Sequence, residues 1–245
     1  MRKFGLIGHP LTHSFSKKYF IEKFDKEGIK DCTYELYDIP NARDLEEILS
    51  ENPEIEGINV TIPYKEDVIA LMDDLDEACE EIGAVNCIHI QDGMLTGYNT
   101  DYIGFKNSLS PWLGSLKPKA LILGTGGASK AVKQALKDLD IEFLNVSRSE
   151  DEDQITYEDL ASDPEIMKTY MLIVNTTPLG TFPKVDGIPA IPLEQLTSDH
   201  FVYDLVYNPS ETSLMKACLV KGGKAKNGHE MLILQAEAAW EIWNS

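Results

Sequence analysis

A chain of 245 residues is long enough for one large domain or two ordinary ones, each able to bury its own core. Its formal net charge of −19, from 41 acidic against 22 basic residues, argues against nucleic acid or an anionic membrane as a partner, although a few local cations can still serve an anionic substrate. The start, Met1-Arg2-Lys3-Phe4-Gly5-Leu6-Ile7-Gly8, has no apolar leader before His9 and Pro10, no later run approaches a membrane span, and Cys32, Cys79, Cys87 and Cys218 are scattered without a C-x-x-C pair. A cytoplasmic protein with reduced thiols and no metal site is expected.

Residues 4–8 read as a strand and 15–27 as an amphipathic helix, with Phe20 and Phe24 on one face and Gly28 in the C-terminal capping place. His13-Ser14-Phe15-Ser16 sets two hydroxyls at that helix start, where caps are expected and a carboxylate is also favoured. A strand around 33–37, a helix around 42–50, the strand 57–62, a helical stretch over 65–81 and the strand 84–90 follow. Such alternation implies a mainly parallel sheet. Asp92-Gly93 reads as a hairpin turn into 95–98, and a helix from near Asp101 runs to the breaker-rich Ser110-Pro111-Trp112-Leu113-Gly114, where the first domain is expected to close at the latest. The strand 120–123, the helix 128–138 and the strands 142–147, 171–175 and 200–204 fit a second unit of the doubly wound type. A closing helix over 230–243 carries Leu232, Ile233, Ala236, Ala239 and Trp240 at helical spacing, and the acidic tract Glu150-Asp151-Glu152-Asp153 reads as a solvated loop.

The most informative segment is Gly124-Thr125-Gly126-Gly127-Ala128-Ser129-Lys130, between the apolar run Ala120-Leu121-Ile122-Leu123 and a helix. A strand that turns through glycines into a helix aims unpaired N–H groups at one point, where the helix dipole also favours an anion, so a cofactor pyrophosphate fits there. Ser129 takes the place of the third glycine of the usual fingerprint. Lys65 follows Asn59-Val60-Thr61-Ile62-Pro63-Tyr64, a strand end whose proline stops further pairing. Its ammonium therefore belongs at the carboxyl edge of a parallel sheet, where open α/β sheets bind ligands. Asp101, closing Gly97-Tyr98-Asn99-Thr100-Asp101, reads by itself as an N-cap as readily as a chemical group. Asn86, inside an apolar strand, is a buried amide that needs partners.

Taken in order, the segments 8–16, 59–65, 83–86, 99–101 and 124–129, with Asn175-Thr176-Thr177-Pro178-Leu179-Gly180, Tyr203-Asp204-Leu205-Val206-Tyr207-Asn208-Pro209 and the late Asn227-Gly228 through Gln235-Ala236, resemble the shikimate dehydrogenase family over almost the whole chain. The resemblance implies an α/β fold: an N-terminal substrate-binding and catalytic domain over 1–103 with a mainly parallel sheet, a Rossmann-like doubly wound NADP-binding domain over 104–228, and a last helix, 229–245, packing back on the first. It implies NADPH-linked reduction of 3-dehydroshikimate to shikimate, on the route to chorismate and the aromatic amino acids. The partner implied is a small-molecule substrate, with no nucleic acid and no membrane, and the enzyme is expected as a monomer or homodimer. Lys65 and Asp101 fall on the family's catalytic pair, Ser14 and Ser16 on the serines that bind the substrate carboxylate, Thr61, Asn86 and Gln235 on positions that hold ring hydroxyls, and Tyr207 on one that also reaches the carboxylate end. The cofactor positions fall on Gly124, Gly126, Gly127, Ala128, Ser147, Arg148, Thr176, Gly228 and Met231.

Three departures stand out. In Val146-Ser147-Arg148-Ser149, Arg148 suits the extra phosphate of NADP and no strand-end acid favours NAD, yet four acidic residues follow. NADP is therefore expected by a smaller margin than usual, with NAD as the alternative. Glu230 stands where the family commonly has a glycine, and either narrows the nicotinamide pocket or begins the final helix. Tyr19-Phe20 replaces a histidine-asparagine pair, a change expected to affect packing. The alternatives are a quinate or quinate/shikimate dehydrogenase using NAD, and a ligand-sensing relative without turnover, against which the presence of both Lys65 and Asp101 speaks.

Overall fold

The computed structural model describes residues 1–11, 14–151 and 153–245. Thr12 and His13 of the expected serine segment, and Glu152 of the acidic tract, lie outside the described residues. The chain forms two compact units, Met1–Asp101 with Gln235–Ser245, and Tyr102–Leu234, so the division falls inside two helices. Among the described residues, no helix is long and apolar enough to cross a membrane.

The first unit runs β1 (Arg2–Gly8), α1 (Phe15–Glu27), β2 (Cys32–Asp38), α2 (Asp44–Glu51), β3 (Ile55–Val60), a 3-10 turn (Asp67–Leu71), β4 (Asp74–Leu75), α3 (Glu77–Ile82), β5 (Cys87–Gln91), β6 (Met94–Tyr98) and the start of α4 (Thr100–Leu113). Its sheet has the order β2-β1-β3-β5-β6-β4. β2 and β3 flank β1 in parallel, β5 turns antiparallel between β3 and β6, and β4 lies parallel to β6. Alternation along β1 sends Phe4 and Leu6 to one face and Ile7 to the other, and each face carries its own core. On the Phe4 side the core includes Phe20, Phe24, Tyr34 and, from the end of the chain, Ala236, Ala239 and Trp243. Trp243 stacks on Phe4 with ring centres 4.9 Å apart and donates its indole N–H to the Ile88 carbonyl at 3.0 Å. Gly57 allows this approach, because a side chain there would collide with the indole.

Three expectations are corrected here. The helical stretch over 65–81 is instead the 3-10 turn, β4 and the short α3. Pairing decides it: Asp73 donates its backbone N–H to the Leu95 carbonyl at 2.9 Å and accepts the Leu95 N–H on its carboxylate at 2.8 Å, tying the segment to the β6 hairpin. β3 stops at Val60, short of Ile62, whose side chain is 74% exposed ahead of Pro63. α4 passes through Pro111 and ends at Leu113, since a proline in the last turn forfeits one bond while Leu109 and Leu113 stay buried.

The second unit continues from α4 with β7 (Ala120–Leu123), α5 (Gly127–Asp138), β8 (Phe143–Ser147), β9 (Gln154–Thr156), α6 (Tyr157–Ser162), α7 (Pro164–Thr169), β10 (Leu172–Asn175), β11 (Phe201–Asp204), α8 (Ser213–Val220), β12 (Lys224–Asn227) and the start of α9 (His229–Ile242), which from Gln235 onward belongs to the first unit. Every pairing in its sheet, of order β12-β11-β10-β7-β8-β9, is parallel. β7 and β10 are buried at each position, as central strands covered on both faces must be. The chain winds outward from β7 through β8 to β9, then crosses back to β10. That reversal between β7 and β10 is where doubly wound sheets bind ligands.

Candidate active site

In the first unit, antiparallel β5 and β6 bring distant residues to the carboxyl edge of β1 and β3. Asn59 pairs with Cys87, which pairs with Tyr98, so β3 ends where β5 begins and β6 ends. Backbone bonds extend the junction: Thr61 N–H to Ile7 at 3.0 Å, Val60 to the Asn86 carbonyl at 2.8 Å, Asn86 to Tyr98 at 3.0 Å and Val85 to the Lys65 carbonyl at 2.7 Å. Lys65, on the turn after β3, donates through Nζ to Asp101 Oδ2 at 2.6 Å. Their side chains are 23% and 19% exposed, sheltered yet within reach of a ligand. Asp101 sits in the first turn of α4, where the helix dipole favours a carboxylate.

The amides are buried alongside. Asn86 Oδ1 accepts the Thr100 N–H at 2.6 Å and so caps α4. The Thr100 hydroxyl lies 3.2 Å from that oxygen and 3.4 Å from Gln235 Oε1. Thr61, Ser14 and Ser16 are half-buried. Ser14 caps α1 by accepting the Lys17 N–H at 3.2 Å. Ser16 bonds the Tyr34 hydroxyl, which burial pushes well up in pKa and which donates to Asn59 at 2.8 Å. Tyr19 is turned to the Glu237 carboxylate and stacks on Phe15. Tyr207 belongs to the second unit, 42% exposed between β11 and α8.

In the second unit Gly124 takes φ 104° after β7, and extended Gly126 precedes α5 with no side-chain cap. A Cβ at Gly126 or Gly127 would meet nothing within 4 Å, whereas one at Gly124 would press to 3.0 Å on Thr176 and Thr177. The glycines thus leave open space before the uncapped N–H groups of a twelve-residue helix, which fits a cofactor pyrophosphate. Ser129 is buried and donates its hydroxyl to the Gly126 carbonyl at 2.7 Å, bracing the turn from inside. Ala128 lies in the first turn of α5, Ser147 ends β8, and Arg148 beyond it is exposed. Burial lowers the pKa of Lys133 on α5 against the pull of Asp153, so one acid of the tract after Arg148 faces a lysine. Thr176 Oγ1 donates to the Leu123 carbonyl at 2.7 Å, and a side chain at Gly228 would collide with the Leu205 carbonyl. Met231 is packed into the core with Phe105 and Tyr203, and Glu230 pairs with Lys226 in the first turn of α9. Reading along the chain does not single out Asp204 and Thr100, each of which is buried and bonds a neighbour. The only outward signal is their place inside conspicuous segments.

A model of the shikimate dehydrogenase substrate binding domain matches residues 6–88. The shikimate dehydrogenase (NADP(+)) of Methanococcus maripaludis is 37% identical, over 98% of this chain and 90% of its own. This chain belongs to the shikimate dehydrogenase family. Within the family, the shikimate 5-dehydrogenase of Thermus thermophilus, solved in complex with NADP(H) and shikimate, superposes with a TM-score of 0.86 at 31% identity, covering 99% of this chain and 93% of the other. The quinate dehydrogenase of Corynebacterium glutamicum, solved with NAD, gives 0.87 at 27% identity, covering 99% and 93%.

Proposed function

We infer that this chain is an NADP-dependent shikimate dehydrogenase, interconverting 3-dehydroshikimate and shikimate. The observation that carries the reading is the 2.6 Å contact between Lys65 and Asp101 beside two buried amides at one sheet edge. When bound, NADPH supplies a hydride. As charge builds on the ketone oxygen, the Lys65 ammonium stabilises it and gives the proton that completes the alcohol. Asp101 holds the ammonium in place and accepts a hydrogen bond from a substrate hydroxyl. Asn86, Gln235 and Thr61 hold the ring hydroxyls, and Ser14, Ser16 and Tyr207 take the carboxylate, the serines with help from the dipole of α1. In the reverse direction a neutral lysine must accept the alcohol proton, so oxidation quickens at alkaline pH.

For the cofactor, Gly124, Gly126, Gly127 and Ala128 take the pyrophosphate, Ser147 and Arg148 the phosphorylated ribose, and Thr176, Gly228 and Met231 the nicotinamide end. By function we draw the first domain as 1–103 with 229–245 and the second as 104–228, with the first turns of α9 packing in the second unit's core. Four buried, unpaired cysteines suit a reducing cytoplasm, where the enzyme works as a monomer or homodimer on a diffusible substrate. The acids after Arg148 favour one second reading, a quinate or quinate/shikimate dehydrogenase using NAD. Loss of NADPH absorbance with 3-dehydroshikimate, and kcat/KM for shikimate and quinate with each cofactor, decide between them. NADP and shikimate should be preferred; a clear preference for quinate and NAD replaces the first reading with the second, and no turnover on either removes both.

A further inference from the structure

Asp204, at the carboxyl end of β11, is fully buried, and among the described residues it has no cationic partner. An unpaired buried carboxylate is costly unless hydrogen bonds satisfy it, so its surroundings need a reason. Its Oδ1 accepts from Asn175 Nδ2 at 2.9 Å and from the Val206 N–H at 3.1 Å, and its Oδ2 accepts from the Thr212 hydroxyl at 2.6 Å. Thr212 in turn accepts the Met215 N–H at 3.3 Å, capping α8. One carboxylate therefore fixes the loop after β11 and the helix that follows.

The other branch leads toward the glycine turn. Asn175 stands opposite Asp204 at the end of β10. With its amide nitrogen donating to Asp204 and, at 3.5 Å, to the Leu179 carbonyl, its Oδ1 is turned to accept both the N–H and the hydroxyl of Thr177, at 3.0 and 2.7 Å. The Thr177 hydroxyl then accepts the Leu179 N–H at 3.3 Å. Thr176 is pinned between, giving its N–H to Leu123 at 3.0 Å, and Thr177 Cγ2 lies where a side chain on Gly124 would press. The backbone beyond Asp204 reaches the late turn as well, since the Leu205 carbonyl backs Gly228. The segments at Thr176 and Gly124, which carry proposed cofactor positions, are thus linked to one buried acid through Asn175 and Thr177, and the Gly228 turn packs on the backbone next to it.

We propose that Asp204 is the positioning residue of the cofactor cradle, acting through Asn175 and Thr177 to hold the 176–180 loop against the glycine turn. This rests on the NADP-binding reading above, but it assigns the task to a residue that touches neither substrate nor cofactor. Carboxylate acceptors make charge-assisted bonds about twice as strong as neutral ones, which suits a brace that must hold three donors at once.

The test is NADP affinity of the full chain by titration calorimetry, with shikimate affinity measured alongside without cofactor. Thr177→Val removes the far link on a partly exposed loop without disturbing the buried acid. It should bind NADP 3- to 10-fold more weakly, with shikimate affinity within twofold of wild type, while Thr177→Ser binds NADP normally. Asp204→Ala, if it folds, should weaken NADP binding at least 10-fold, and Asp204→Asn, which keeps the shape and some acceptors, should restore part of it. A role confined to stability would lower the melting temperature while leaving NADP affinity of the folded protein unchanged. That result, or unchanged affinity in Thr177→Val, overturns the proposal. Wild-type chain that takes up no NADP overturns the functional reading itself, and the proposal with it.

Discussion

In the first unit the groups proposed to meet a ligand are side chains, Lys65, Asp101, Asn86 and Gln235, whereas in the second they are chiefly backbone N–H groups at the start of α5, cleared by Gly126 and Gly127. Some polar side chains of the second unit serve as braces: Asn175 and Thr212 each bond the buried Asp204. The sheets differ in the same sense. An all-parallel sheet provides a uniform carboxyl edge, suited to a turn and a helix dipole, while the antiparallel β5–β6 insertion lets residues from opposite chain directions meet at one edge. A site of side chains is broken by taking a group away. A site of backbone is broken by adding one.

The largest effect expected from this contrast is on Lys65→Ala. Losing a general acid should lower kcat by about 10²–10⁴, or roughly 3–5 kcal/mol of barrier, with a modest change in shikimate KM. Near-normal turnover would remove Lys65 from the chemistry. Next comes an addition in the second unit, Gly124→Ala. A side chain at φ 104° that also presses on Thr176 and Thr177 introduces strain of about 1–3 kcal/mol. Calorimetry should show NADP binding weakened about tenfold or more and shikimate binding unchanged; equal loss of both would mean that the two sites are not separable in this way.

The smallest effect is a pH dependence confined to the second unit. His200 is buried, and burial lowers its pKa; its Nδ1 accepts the Thr197 N–H at 3.1 Å and its Nε2 faces the Met167 carbonyl at 3.0 Å, the neutral tautomer. A folded-state pKa below the unfolded value of about 6.5 means that the neutral ring's contribution is complete above that pH. It is lost as pH falls through 6.5 toward the folded value, because the unfolded chain takes up a proton first. Urea melts across pH 5–8 should show a shallower decline below 6.5 for His200→Gln than for wild type, and parallel slopes would assign the acid sensitivity elsewhere.

Periodicity and turn chemistry carried the elements whose cause is local. β7 and β10 are short apolar runs buried on both faces, α1 is marked by Phe20, Phe24 and Gly28, and the Asp92-Gly93 hairpin by its turn residues. What escaped depends on partners. β12, Lys224–Asn227, is a polar edge strand with no alternation to betray it, β9 is three half-buried residues, and α6 and α7 are six residues each. The segment after Lys65 has helix-forming residues but is held by pairing with the β6 hairpin. In the site, the glycine turn could be read from chemistry alone. Nothing in spacing joins Lys65 to Asp101, and only the family resemblance pairs them. Thr100 and Asp204 look like a helix start and a strand end until their bonds are seen.

Whether the amine and the carboxylate of the first unit act together is tested most directly by kcat for Lys65→Ala, Asp101→Ala and the double variant, measured with saturating NADPH and 3-dehydroshikimate. If Asp101 serves by holding the proton donor, the double variant should be about as slow as Lys65→Ala alone, since groups acting as a unit lose their effect once. A double variant slower by the product of the two single losses would contradict it, showing two independent groups where a dyad is claimed.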